Sequence, residues 1–255
     1  MPYQDVRDLR IYYELHGDPQ APPLVLLNGA LDTIESDWAA HLPALAEHYR
    51  VLAYDHRGHG RTSRSAAPFS SYGQLADDLA GLLDALAIER AHFCGFSDGG
   101  ITLLYFALAR PERVRSLILA GAQYTNDERS LAMLEKMRPE QIAQRQPGWA
   151  ALLAELHDAH HQPGYWQELI GQMIELWPNE PNLSAEQLAQ IGAPTLLIAG
   201  ERDNFGSPEQ QLFMRRAMPR AQLCILPAAS HPVMNQQPEL FQLVALHFLD
   251  AHAAV

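Results

Sequence analysis

Three observations predict an α/β fold, a mostly parallel sheet with helices on both faces. Short apolar runs recur along the chain, amphipathic stretches separate them, and the runs are apolar throughout rather than alternating with polar residues. Strands buried on both faces read that way, because neither surface meets water. The first element differs: "DVRDLRIYYELHG" (5 to 17) alternates polar and apolar residues, as an antiparallel edge strand or hairpin would. "PLVLLNG" (23 to 29) and "YRVLAYD" (49 to 55) are the first two buried strands, and "YGQLADDLAGLLDALAI" (72 to 88) carries apolar residues at helical spacing. "AHFCGF" (91 to 96) is the next strand, followed by the helix "ITLLYFALAR" (101 to 110), which Pro111 stops. "VRSLILAG", ending at Gly121, "PTLLIAG" (194 to 200) and "AQLCILP" (221 to 227) complete the strands.

Residues 124 to 190 interrupt this rhythm. They hold no strand-like run, only helical patterning punctuated by Pro139, Pro147, Pro163, Pro178 and Pro181. The expected organisation is a core of residues 1–123 and 191–255 with an inserted helical lid at 124–190. The lid is acidic, with ten carboxylates against four basic residues.

Composition excludes several functions. A chain of 255 residues with 47% hydrophobic content can bury a sizeable core. Its net charge of −12 repels phosphate backbones and anionic lipid, so nucleic acid and membrane are not expected partners. No apolar run approaches the roughly 20 residues that span a bilayer, and "MPYQDVRDLR" lacks the apolar stretch of a signal peptide. A cytoplasmic protein, monomer or homodimer, is the expectation. Cys94 and Cys224 sit in apolar strands and read as buried hydrophobes rather than a disulfide or metal ligands.

The chemistry centres on "GFSDGG" (95 to 100). A serine at the tip of a sharp strand-to-helix turn adopts a strained backbone that holds its oxygen clear of the sheet, and the residues two before and two after must be small. Gly95 and Gly99 meet that demand around Ser97. The bland reading is a glycine-rich turn with Ser97 as an N-cap. A neutral hydroxyl is a poor nucleophile, so the catalytic reading needs a base and an acid to orient it. Asp203 lies in the loop after "PTLLIAG", with Glu201 as a rival acid, and His231 lies after "AQLCILP". In a parallel sheet these loops emerge on one edge, and the order Ser, Asp, His matches a known arrangement. Backbone N–H groups of Asp98 and Ala30 are the candidates to receive the oxyanion.

"LLNGALDT", "YRVLAYDHRGHGRT", "GFSDGG", "PERVRSLILAGA", "PTLLIAGERD" and "ASHPVMNQQPELF" together resemble the α/β-hydrolase superfamily over nearly the whole chain, in its serine-nucleophile esterase and lactonase branch with a helical lid. The resemblance implies an eight-stranded sheet with only the second strand antiparallel. It also implies that the strands carrying Cys94 and Cys224 are not neighbours. Haloalkane dehalogenases and epoxide hydrolases of this fold use aspartate where this chain has Ser97. One departure is Asn28-Gly29, where the family usually has His-Gly; asparagine can donate and accept much as neutral imidazole does. "NGALDT" also resembles the corresponding loop of 3-oxoadipate enol-lactonases, whose substrate carries free carboxylate; the acidic lid has no obvious arginine anchor for it.

Two rival constellations are weaker. "HDAHH" (157 to 161) spaces two histidines as helical zinc sites do, but it has no clear third ligand, so a solvated polar face is expected and no metal. "HRGHGRT" (56 to 62) lacks the lysine of a phosphate loop and reads as structural. Among the lid aromatics, Tyr124, Trp166 and Trp177 are candidates to wall a substrate pocket, with Trp149 and Tyr165 beside them; packing onto the core is the alternative. The expected function is cofactor-free hydrolysis of a small-molecule carboxylic ester. Alternatives on the same residues are a lactonase or enol-lactonase, a carbon–carbon bond hydrolase, a perhydrolase, or a sensor that keeps the triad and signals through its lid.

Overall fold

The computed structural model describes residues 2–65 and 69–253. Eight strands form one sheet: β1 Tyr3–Val6, β2 Leu9–His16, β3 Pro23–Leu27, β4 Arg50–Tyr54, β5 Ala91–Phe96, β6 Val114–Ala120, β7 Thr195–Gly200 and β8 Ala221–Leu226. Their spatial order is β1-β2-β4-β3-β5-β6-β7-β8. β2 pairs antiparallel with both β1 and β4, and every other pairing is parallel, so β2 alone runs against the rest. The opening alternation is that hairpin, and the wholly apolar runs are the central strands, with β5 and β7 buried at every position.

Alternate residues of each strand feed two cores, one per face. Val25, Leu27, Phe93 and Leu117 face helices α2 (Tyr72–Ala85) and α3 (Asp98–Ala109). Leu24, Leu26, Cys94 and Ile118 face the opposite side. There a π turn at Ile34–Trp38, α1 (Leu42–Ala46) and the last helix cover them, with Trp38, Leu45, Phe241 and Phe248 buried. Cys94 and Cys224 are free thiols on β5 and β8, with two strands between them, and burial pushes the Cys94 thiol up from its ordinary range.

Between β6 and β7 the chain forms five α-helices: α4 Glu128–Leu134, α5 Pro139–Arg145, α6 Pro147–His157, α7 Tyr165–Leu176 and α8 Ala185–Ala189. Pro139 and Pro147 open α5 and α6, where the missing N–H costs nothing. An isolated antiparallel bridge, Thr125 with Asn182, ties the two ends of this segment together, and the Leu183 amide donates to the Tyr124 carbonyl at 2.9 Å. Its apolar face, including Leu153, Leu169 and Met173, is continuous with the α2/α3 core. Three helices follow: α9 Pro208–Ala217, α10 Val233–Gln236 and α11 Pro238–Asp250. Among the described residues no helix is long and apolar enough to cross a membrane.

Candidate active site

The parallel register brings the carboxyl ends of β3, β5, β7 and β8 to one sheet edge, and the loops that leave them carry the chemistry. Ser97 stands at the amino end of α3 with φ 49° and ψ −118°, a positive-φ torsion that an ordinary residue holds only under constraint. Its neighbours supply the constraint. A Cβ on Gly95 would stand 2.6 Å from the Gly99 carbonyl, and one on Gly99 would stand 2.5 Å from the carbonyl oxygens of Leu27 and Asn28. The Ser97 amide donates to the Ala120 carbonyl at 2.8 Å, which pins the turn to the end of β6. Ser97 therefore points into the site rather than capping its helix: its side chain makes no cap bond.

Its hydroxyl lies 2.9 Å from His231 Nε2, although the two residues are 134 apart in the chain. His231 Nδ1 lies 3.0 Å from both carboxylate oxygens of Asp203. Asp203 is buried, and the Phe205 amide donates to its Oδ1 at 2.8 Å, which fixes the carboxylate opposite the ring. An Nδ1–H donating to Asp203 leaves Nε2 free to accept the serine proton. Glu201, the rival acid, instead accepts from the Ala228 amide, away from the imidazole. Phe96 and Phe205 flank the His231 ring, with centroids at 5.1 and 4.8 Å.

The loop after β3 is held at nearly every amide. Gly29 N–H donates to Asp37 Oδ2, Leu31 N–H to His59 Nε2, Thr33 N–H to Ser36 Oγ and Ile34 N–H to Asp55 Oδ1. Among the described residues Ala30 N–H has no such acceptor, and Ala30 lines the same cavity as Ser97. Asp98 N–H belongs to the first turn of α3, whose amides have no partner within the helix. Both candidate donors thus belong to residues that line the same cavity as Ser97. Asn28, where the family usually has histidine, is buried and donates from Nδ2 to the Tyr54 carbonyl at 3.1 Å, so it braces β4 rather than facing the cavity.

The cavity over Ser97 has a volume of about 510 Å³. A family model described as the alpha/beta hydrolase fold matches residues 22–169. The chain belongs to the α/β-hydrolase family. A putative carbamate hydrolase, RutD, of Stutzerimonas stutzeri is 33% identical, the match spanning 94% of this chain and 96% of that protein. The 3-oxoadipate enol-lactonase 1 of Acinetobacter baylyi is 30% identical over 89% of this chain and 88% of its own. In shape, the enol-lactonase from Burkholderia xenovorans LB400 superposes with a TM-score of 0.82 at 27% identity, covering 98% of this chain and all of that one.

The aromatic expectations for this α/β hydrolase need correction. Trp177 lines the cavity, and so does Trp149, but Tyr124 and Trp166 do not. Tyr124 stacks on Phe213 of α9 at 4.6 Å, and Trp166 is buried in the core at the start of α7, its amide bonded to Asp158. Trp177 has a polar use as well: its Nε1–H donates to Asp98 Oδ2 at 3.0 Å, and burial pushes the Asp98 carboxyl above its ordinary range.

"HDAHH" also departs from expectation. α6 ends at His157, so His157 and His161 do not share one helical face, and His157 is fully buried rather than solvated. Burial lowers its pKa to about 4 and takes His59 well below its ordinary value. Among the described residues no group of histidine, cysteine and carboxylate side chains could hold a metal ion. "HRGHGRT" is structural as expected: Arg57 forms a buried two-pronged pair with Asp78 at 2.7 and 2.9 Å.

Sequence reasoning missed Asp32, which lines the cavity beside Ser97 and accepts from Ser36 Oγ at 3.1 Å. Burial raises its pKa to about 6, the Asp98 carboxylate adding to the effect while Ser36 and His231 oppose it. Among the described residues neither lysine nor arginine lines the cavity. Gln123, Asn126, Gln146, Ser230 and Asn235 are among its neutral polar groups, and Met133, Leu134 and Met137 form part of its apolar wall. No motif announces these residues, since their exposure to the cavity depends on how α4 and α10 lie.

Proposed function

We propose that this α/β hydrolase cleaves neutral carboxylic esters of small to medium size through an acyl-enzyme on Ser97. The observation that carries the reading is the unbroken relay from Asp203 through His231 to Ser97 Oγ at 3.0 and 2.9 Å, at the edge of a largely apolar cavity. His231 takes the serine proton as Oγ attacks the carbonyl carbon. Asp203 steadies the imidazolium, and the amides of Ala30 and Asp98 hold the negative oxygen. His231 then returns the proton to the departing alcohol, and water activated by the same ring releases the acid. The helices of residues 124–190 act as the lid over this chemistry, which needs no cofactor or metal and suits a cytoplasmic enzyme, monomer or homodimer.

Relatives named for carbamates and enol-lactones support acyl transfer at a carbonyl without fixing the leaving group. A cavity walled by Asp32 and Asp98, with no lysine or arginine among its described residues, disfavours substrates that carry free carboxylate. A neutral lactone or carbamate is the second reading, favoured by the same uncharged polar groups. Ser97→Ala should fold normally and lose turnover of a short p-nitrophenyl ester by at least about 10³-fold. Sustained turnover in that variant would remove Ser97 from the mechanism, and single-turnover acylation without release in the wild type would favour the sensor alternative.

A further inference from the structure

Leu31 follows the proposed oxyanion donor Ala30 and holds φ +62°, a torsion that leucine rarely adopts. Both of its backbone polar groups end on imidazoles. Its N–H donates to His59 Nε2 at 3.2 Å, and its carbonyl accepts from His157 Nε2 at 2.9 Å. The two rings pack edge to face with centroids 5.6 Å apart. Each remaining nitrogen is engaged too: His59 Nδ1 donates to the Arg57 carbonyl at 2.9 Å, and His157 Nδ1 accepts from the Gly60 amide at 3.0 Å. A carbonyl only accepts and an amide only donates, so these partners assign opposite tautomers, with the proton on Nδ1 in His59 and on Nε2 in His157. A third ring extends the clamp, since His56 Nε2 donates to the Asn28 carbonyl at 3.1 Å.

We propose that His59 and His157 are positioning residues that clamp Leu31 and thereby set the Ala30 N–H beside Ser97. The inference rests on the ester-cleaving reading above. Three imidazole contacts bracket the short stretch 28–31, and a Leu31 released from them would relax toward negative φ, turning the backbone that carries Ala30. His157 belongs to α6, so part of the oxyanion site depends on a residue 126 positions away, in a different element from either donor. Neither histidine lines the cavity over Ser97. Their effect falls on the transition state, where charge develops, and so on kcat rather than KM.

At both positions the Nε2 end of the ring faces Leu31. Glutamine can reproduce that contact, whereas asparagine matches only the Nδ1 side. We expect His157→Asn and His59→Asn to lower kcat on the p-nitrophenyl ester by about 10- to 100-fold with KM within about twofold, and each glutamine counterpart to recover most of the loss. Affinity for an alkyl trifluoromethyl ketone, whose hemiketal with Ser97 carries the same oxyanion, should fall by the factor seen in kcat/KM. Leu153→Ala, which thins the core side of α6, should lower Tm and leave kcat unchanged. Asparagine variants as fast as wild type, or glutamine variants as slow as asparagine, would overturn the clamp while Ser97→Ala remained inactive. Turnover surviving in Ser97→Ala would overturn the underlying reading instead.

Discussion

Ser97, which lines the cavity, and Leu31, buried between the cavity residues Ala30 and Asp32, both hold positive-φ torsions, yet different parts of the chain hold them there. The Ser97 turn is written mostly into its own few residues, Gly95, Gly99 and the start of α3, with backbone from β3 and β6 closing around them. The Leu31 turn is enforced from far away, by rings 28 and 126 residues distant. Each torsion costs about 1–2 kcal/mol and persists only because its surroundings over-determine it. Local enforcement leaves a motif in the sequence and tolerates changes elsewhere. Remote enforcement leaves none and is exposed to substitutions in elements that never meet the substrate.

The largest expected effect lies on the serine side. Asp203→Asn should keep the fold and lower kcat by about 10⁴-fold, because an amide presents the wrong partner to His231 Nδ1; steady-state kinetics with an unchanged circular dichroism spectrum would check it. Gly99→Ala comes next and acts on stability. Its Cβ would press on the backbone of β3's carboxyl end, and urea denaturation should show a loss of about 3 kcal/mol, larger than for alanine substitution at any exposed site of α3. Trp177→Phe tests whether the serine turn has its own remote brace. Losing the bond to buried Asp98 should cost about 1–2 kcal/mol of stability. Because the turn is already held locally, kcat should change less than about threefold, well short of the loss expected at His157.

The smallest effect concerns charge. Asp32 titrates near 6 in the folded protein, above its ordinary value of 3.8. The folded state therefore binds this proton more tightly than the unfolded chain, and the stability it contributes is present at low pH and lost as pH rises from about 4 through about 6. The same ionisation sharpens rejection of anionic substrates. The ratio of kcat/KM for a neutral ester to that for a carboxylate-bearing half-ester should rise severalfold across pH 6 in the wild type and stay flat in Asp32→Asn.

Much of this was legible because the signals were local or topological. Continuous apolar runs marked buried strands, alternation marked the β1–β2 hairpin, and glycine spacing marked the Ser97 turn. Ser97, Asp203 and His231 could be paired in advance because the parallel sheet itself brings their loops together. Side-chain direction inside the helical segment was not legible. Tyr124 and Trp166 carry the composition of pocket aromatics, yet packing against Phe213 and the core claims them. His157 looked like a solvated residue in a polar cluster, because its partners are two backbone groups and a ring from another part of the chain.

The bridge between Thr125 and Asn182 closes the helical segment at its neck, so a different insert of any length could be grafted there with little strain on β6 and β7. Such a graft would not be a clean exchange of recognition surface. It would discard the ring that secures Leu31 along with the walls that meet the ligand, so among descendants of this scaffold speed and selectivity should be inherited as linked traits.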